Sequence, residues 1–326
     1  MINGTDIPDS WSALSWQQLC RCWEAKMRYG GSAAAARAAA LLALLGLEVS
    51  GRAGFDARTG EAVYLLRGAS GDAASVTPRR LSWLASRLLP WFDYPYGDPG
   101  EEAVKDDRGR VVREARDPVR GYVNPNWRDA MQLPAETVEE DGVVFALPQL
   151  ACSSLTWEQY RSLQGLVPQL FSRDSTEEQV LSLQAQFTAY FTVPEQVRGE
   201  PDGDRFREEH AFRFDSGRAE QSVGFWRRRI AQGSPIYHIC FQAYQTAVQY
   251  YTTVYPALFA GGGREDPLRD ALTGEVGTIN AVMKYARYRS QREVYESYLP
   301  YVLDILNTMT KEAKEVEKMN SRIRRK

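Results

Sequence analysis

The phrase Leu14-Ser15-Trp16-Gln17-Gln18-Leu19 returns at 155–160 as Leu155-Thr156-Trp157-Glu158-Gln159-Tyr160, and nothing else in the chain narrows the fold as far. In each copy a hydroxyl residue stands three positions before a glutamine. That spacing lets the hydroxyl cap a helix N-terminus while the glutamine reaches back to the cap's own N–H. The apolar residue before each cap (Leu14, Leu155) and the one four places into the helix (Leu19, Tyr160) then close a hydrophobic staple. Each copy therefore predicts a helix start, and each is followed by a long helical pattern, to "LLGLEV" near 49 and "YFTVP" near 194.

The recurrence reads in two ways. Capping boxes arise independently in unrelated helices, so the phrase need mean no more than two helix starts. A duplicated half-chain accounts for more of it: "IPDSWSAL" (7–14) resembles "LPQLACSSL" (147–155), and each half reaches an aromatic helix end with proline, "LLPWFDYP" (88–95) and "TVYPALF" (253–259).

Strands are the minor component. "FDARTGEAVYLL" (55–66) and "KDDRGRVV" (105–112) each place apolar residues on both sides of a glycine-containing turn, as a hairpin requires, and "GVVFALP" (142–148) reads as one more short strand. The last third is helical. Ser234 and Pro235 open a helix carried to Gly261 with Pro256 bending its last turn, and Tyr237, Phe241, Tyr244, Val248, Tyr251, Tyr255 and Leu258 recur along it at helical spacing. This stripe is read as core, with a ligand groove as the other reading. Ser290 with Glu293 forms another capping box, and Pro300 opens a helix through about Arg324.

The expected fold is mainly α with small β-hairpins: two loosely similar helical halves and a C-terminal amphipathic extension. The expected segments are 1–96, a helical half with its hairpin; 97–141, a linker or surface excursion; 142–260, the second half with a mobile loop near 195–222; and 261–326, the extension.

Composition removes several classes of function. Apolar residues at 44% and charged residues at 25% suit a globular chain rather than a disordered one. A formal charge of −2 gives no overall pull toward nucleic acid or acidic lipid. The run "AAAARAAALLALLGL" (33–47) is interrupted by Arg37 and too short to span a bilayer, which predicts a buried helix and a protein of the cytoplasm.

Chemistry-bearing residues are few. Cys20, Cys22, Cys152 and Cys240 are too scattered for a disulfide framework, and Cys20/Cys22 and His238/Cys240 sit two apart on helices, where side chains diverge rather than converge on a metal. "AGGGRED" (260–266) lacks the Lys-Ser/Thr ending of a phosphate-binding loop. His210, in a charged stretch, is the one candidate base. No catalytic residue, metal or cofactor is assigned. Arg227, Arg228 and Arg229 beside Phe225 and Trp226, together with a basic tail, form the alternative of a nucleic-acid-binding module. Consecutive arginines fan around a helix, so a solvated face is preferred.

The favoured candidate site is the apolar stripe Val302, Ile305, Met309, Val316, Met319 and Ile323, interrupted by Glu312 on an otherwise charged helix. Such a helix packs internally or offers its face to a partner. The stretch 279–323, with Glu293-Val294-Tyr295, Leu299, Val302-Leu303, Leu306 and Ala313-Lys314-Glu315, resembles bacteriophage tail-assembly chaperones and related morphogenesis proteins. The opening "IPDSWSALSWQQL" is similar to the starts of phage tail-region proteins. The resemblance implies a non-enzymatic assembly factor that binds apolar helices of a tape-measure or tail-tube protein, or a structural component of the virion.

Overall fold

The computed structural model describes residues 7–11, 13–69, 71, 73–93, 104–105, 111–113, 133–194, 214–255, 258 and 275–324. The fold is mainly α with minor β. Its helices are α1 (Trp16–Arg28), α2 (Ala33–Leu44), α3 (Pro78–Leu88), α4 (Trp157–Leu170), α5 (Glu177–Phe191), α6 (Ser216–Ala231), α7 (Ile236–Val254), α8 (Glu275–Ala286), α9 (Gln291–Tyr295) and α10 (Leu299–Arg324). Among the described residues the strands form three antiparallel groups. These are β1 (Leu47–Phe55), β2 (Ala62–Gly68) and β3 (Ala73–Val76); β4 (Val104–Lys105) and β5 (Val111–Arg113); and β6 (Thr137–Glu140), β7 (Val143–Ala146) and β8 (Val193–Pro194).

Both copies of the repeated phrase do what their spacing dictates. The Gln18 N–H donates to Ser15 Oγ while the Ser15 N–H donates to Gln18 Oε1, and the same reciprocal pair joins Thr156 and Gln159. The staple residues Leu14, Leu19, Leu155 and Tyr160 are all buried. Each copy opens the first helix of a packed pair, α1 with α2 and α4 with α5. The sheets beside the two pairs are joined differently. β1, β2 and β3 follow one another, whereas β8 enters its sheet only after α4 and α5.

The long helical runs expected after the phrase are each broken. α2 ends at Leu44, and Gly46, at φ 64, turns the chain into β1; only a residue without Cβ takes that left-handed conformation freely. Between α4 and α5 the chain leaves the helix at Phe171 and restarts with a third capping box, Thr176 with Gln179. α7 stops at Val254 rather than Gly261, because the residue before Pro256 is driven out of the α region. The capping box at Ser290 is half made: Ser290 Oγ accepts from the Glu293 N–H, but the Glu293 carboxylate takes the Arg289 N–H instead of the cap's own.

The predicted hairpin about Gly60 is present, with Phe55 opposite Ala62 and Asp56 Oδ1 accepting from the N–H groups of Arg58 and Thr59. β4 and β5 pair where the second hairpin was expected, though Gly109 lies outside the described residues. The β6–β7 turn is Asp141-Gly142, both at positive φ, the two-residue turn whose twist matches its strands.

The chain divides into two compact units, residues 1–135 with 229–246, and residues 136–228 with 247–326. In the first, Trp11, Trp23, Trp91 and Phe92 gather α1, α2 and the 3-10 turn Pro90–Asp93 into one core, with Ile239 among them. The Trp11 indole donates to the Trp91 carbonyl and the Trp91 indole to that of Pro8. In the second, Trp157, Phe145, Trp226, Phe187 and Phe191 are fully buried, and α10 packs on α8 and α4.

Candidate functional site

Helix α10 carries the candidate interface. Val302, Ile305, Met309, Glu312, Val316, Met319 and Ile323 alternate in steps of three and four, so they fall on one line of a helix in heptad register. The fold covers only the first part of that line. Val302 is 0% and Ile305 8% exposed, with Leu303 and Leu306 buried beside them. Met309 is half-buried, and Tyr285 of α8 reaches the next position, its hydroxyl donating to Glu312 Oε1 at 3.0 Å. One turn further the line comes out of its own fold: Val316 is 51% and Met319 57% exposed. The Ile323 side chain lies outside the described residues.

The covered end is tightly anchored. The Leu299 N–H donates to the Leu155 carbonyl and the Trp157 N–H to that of Ser297, a short antiparallel bridge joining the starts of α10 and α4. Tyr255 Oη adds a bond to the Pro300 carbonyl. A helix fixed at its N-terminal half and bare at Val316 and Met319 is mechanically suited to hold another helix.

Two other exposed aromatic rings, Phe55 and Trp83, are partly covered by cations. In the first unit the guanidinium of Arg52 lies 4.0 Å from the Phe55 ring centre and that of Arg87 5.2 Å from Trp83, so each carries a cation over its face. In the second unit a cleft of about 610 Å³ opens at the start of α4. Glu136, Glu158 and Glu296 line it together with Phe191, Phe214 and Tyr298. The described residues of its lining include no histidine, cysteine, lysine or arginine, and Glu296 is bonded to Arg292 at 2.6 Å. It offers carboxylates, aromatic faces and the hydroxyls of Thr137, Ser154 and Thr156, of which Ser154 Oγ accepts from the Gln149 N–H and Thr156 Oγ1 from the Gln159 N–H.

The arginine trio is not drawn into a single gripping surface. Arg227 pairs with Glu178 at 2.8 Å, Arg228 is exposed, and Arg229 donates to Gln232. Trp226, the aromatic that would stack on a base, is fully buried against Phe145 and Phe225. The tyrosine stripe of α7 resolves toward core, with Tyr237, Phe241, Tyr244 and Tyr251 buried.

Of the two histidines, His210 lies outside the described residues, as does the glycine run at 260–266. His238 stacks on Trp23, ring centres 5.1 Å apart, and burial pushes it down from 6.5 to about 4, so it is neutral at physiological pH. Cys22 points into the core and is pushed up to about 12 by burial, while Cys152 is raised further by the same cause. Among the described residues no three His, Cys, Asp or Glu side chains could hold one metal ion, and no helix is long and apolar enough to cross a membrane.

The signal that sequence reading missed in this region is the division of the stripe. Its spacing is uniform from Val302 to Ile323, while the packing of α10 on α8 and α4 covers only its first part, with Tyr285 near the end of α8 bonded to Glu312. No family model, curated protein or solved structure matches the chain.

Proposed function

We propose that the protein is a non-enzymatic docking factor that receives an apolar helix of another polypeptide on the exposed end of α10. The observation that carries this reading is a single heptad line, buried at Val302 and Ile305 and bare at Val316 and Met319. A lone apolar side chain on a surface needs no explanation, but two successive seam positions continuing a buried seam do. The likeness of residues 279–323 to phage tail-assembly chaperones supplies the specific partner: a helix of a tape-measure protein, kept soluble in the cytoplasm of the host cell while a tail tube assembles.

The test is light scattering from a tape-measure fragment diluted out of denaturant in the presence of the purified chain. The reading expects scattering to be suppressed at near-equal stoichiometry and to return with the double variant Val316→Glu/Met319→Glu, whose far-UV circular dichroism stays that of the parent. Equal suppression by parent and variant would remove α10 as the docking element.

A further inference from the structure

We propose that, in the absence of a partner helix, the bare end of α10 is covered by the same segment of a second copy running antiparallel. This rests on the docking reading above and names one more occupant of that face.

Register and charge both favour this pairing. Placing Val316 against Met319 of the second copy puts Met319 against Val316 in the symmetric layer, so both bare side chains of each copy are covered at once. In this register the contact spans residues 312–323, with Val316 and Met319 as its exposed apolar positions. Glu312 then meets the sequence position of Ile323, whereas a parallel pair would set Glu312 against Glu312. The flanking positions decide the direction. Glu315 and Arg322 occupy the same heptad position, seven residues apart, and only in the antiparallel pair do these positions face each other. The antiparallel register thus sets the position of Glu315 opposite that of Arg322 twice, symmetrically. In the parallel pair Glu315 faces Asn320 and gains no opposite charge.

Twelve residues of helix extend only about 18 Å. The self-pair is therefore short and weak enough for a longer apolar helix to displace it, and its occupancy rises with the protein's own concentration.

Sedimentation equilibrium on the purified full chain, from micromolar to millimolar concentration, tests this directly. The expected result is a reversible monomer–dimer equilibrium. Glu315→Arg and Arg322→Glu should each weaken it by roughly tenfold, since each turns two attractive pairs into repulsive ones. The double variant Glu315→Arg/Arg322→Glu should return it to within about threefold of the parent, because the swap preserves the antiparallel complement and nothing else. A chain that stays monomeric throughout, or a double variant no tighter than the single ones, would overturn the self-pair. The scattering assay separates the two ideas: loss of the dimer with suppression intact defeats only the self-pair, and loss of both defeats the docking reading as well.

Discussion

The indole N–H of Trp23 on α1 donates to Gln242 Oε1 on α7 at 2.8 Å, a buried bond between residues 219 positions apart. Both belong to the first compact unit, so segment 229–246 is held there by a specific polar contact and not by apolar packing alone. Replacing Gln242 by Leu deprives a buried donor of this acceptor and should cost about 1–3 kcal/mol, read from urea unfolding. Trp23→Phe combined with Gln242→Leu should cost less than the two single changes summed, by about 1 kcal/mol of coupling.

Arg37, only 3% exposed, stands in an alanine-rich helix opposite Asp93, with Nε 3.4 Å from the carboxylate. Asp93 faces a second cation too. The Lys26 ammonium lies 4.6 Å from the Phe92 ring centre and 5.9 Å from those of Trp11 and Trp23, held below the ordinary lysine range by burial and drawn back up by Asp93. Asp93→Ala should therefore cost roughly 2–3 kcal/mol, because it strips the carboxylate from two partly desolvated cations. Arg37→Met should cost less than about 1.5 kcal/mol, since it removes a buried charge and keeps much of the volume. Paired chemical denaturation curves distinguish the two.

His238 makes acid sensitivity a property of the first unit. Burial lowers its pKa from 6.5 to about 4, so between those values the unfolded chain binds more protons than the folded one. Its contribution is complete above pH 6.5 and is lost as pH falls toward 4, by about 3 kcal/mol in all. The stability of the parent relative to His238→Phe, measured at stepped pH values, should fall by about 3 kcal/mol as the pH falls through this window. A constant gap between them would rule the histidine out.

Stability and docking separate along α10. A chain ending after Thr310 loses only residues whose described side chains are exposed, and should retain its stability to within about 1 kcal/mol. Ile305→Ala, on the same apolar line but buried, should cost about 2–4 kcal/mol. Thermal melts of the two variants provide the comparison.

What the sequence disclosed was local, and what it concealed was not. The boxes at Ser15 and Thr156 close because every atom involved lies within one turn. The half-made box at Ser290 shows the limit of that logic, since Glu293 found a competing donor one residue away at Arg289. The Asp141-Gly142 turn carried a two-residue hairpin signal that would have found β6. Gly46 carried a helix-stop signal that would have ended α2 and begun β1. No local pattern announces that β8 joins β7 across two helices, or that 229–246 belongs with the first unit. The candidate interface was legible as a stripe but not as a boundary, because Val302 and Met319 have the same pattern and differ only in what stands opposite.

Cover of Met319 by another helix is directly measurable. A photo-cross-linking side chain placed at 319, and in a separate variant at Lys314 on the opposite face of α10, should be irradiated in the cells that make the protein. Discrete adducts are expected from 319, to an apolar helix of a second polypeptide or to residues 312–323 of a second copy, and none from 314. Equal adducts from both positions, or none from either, would contradict this cover.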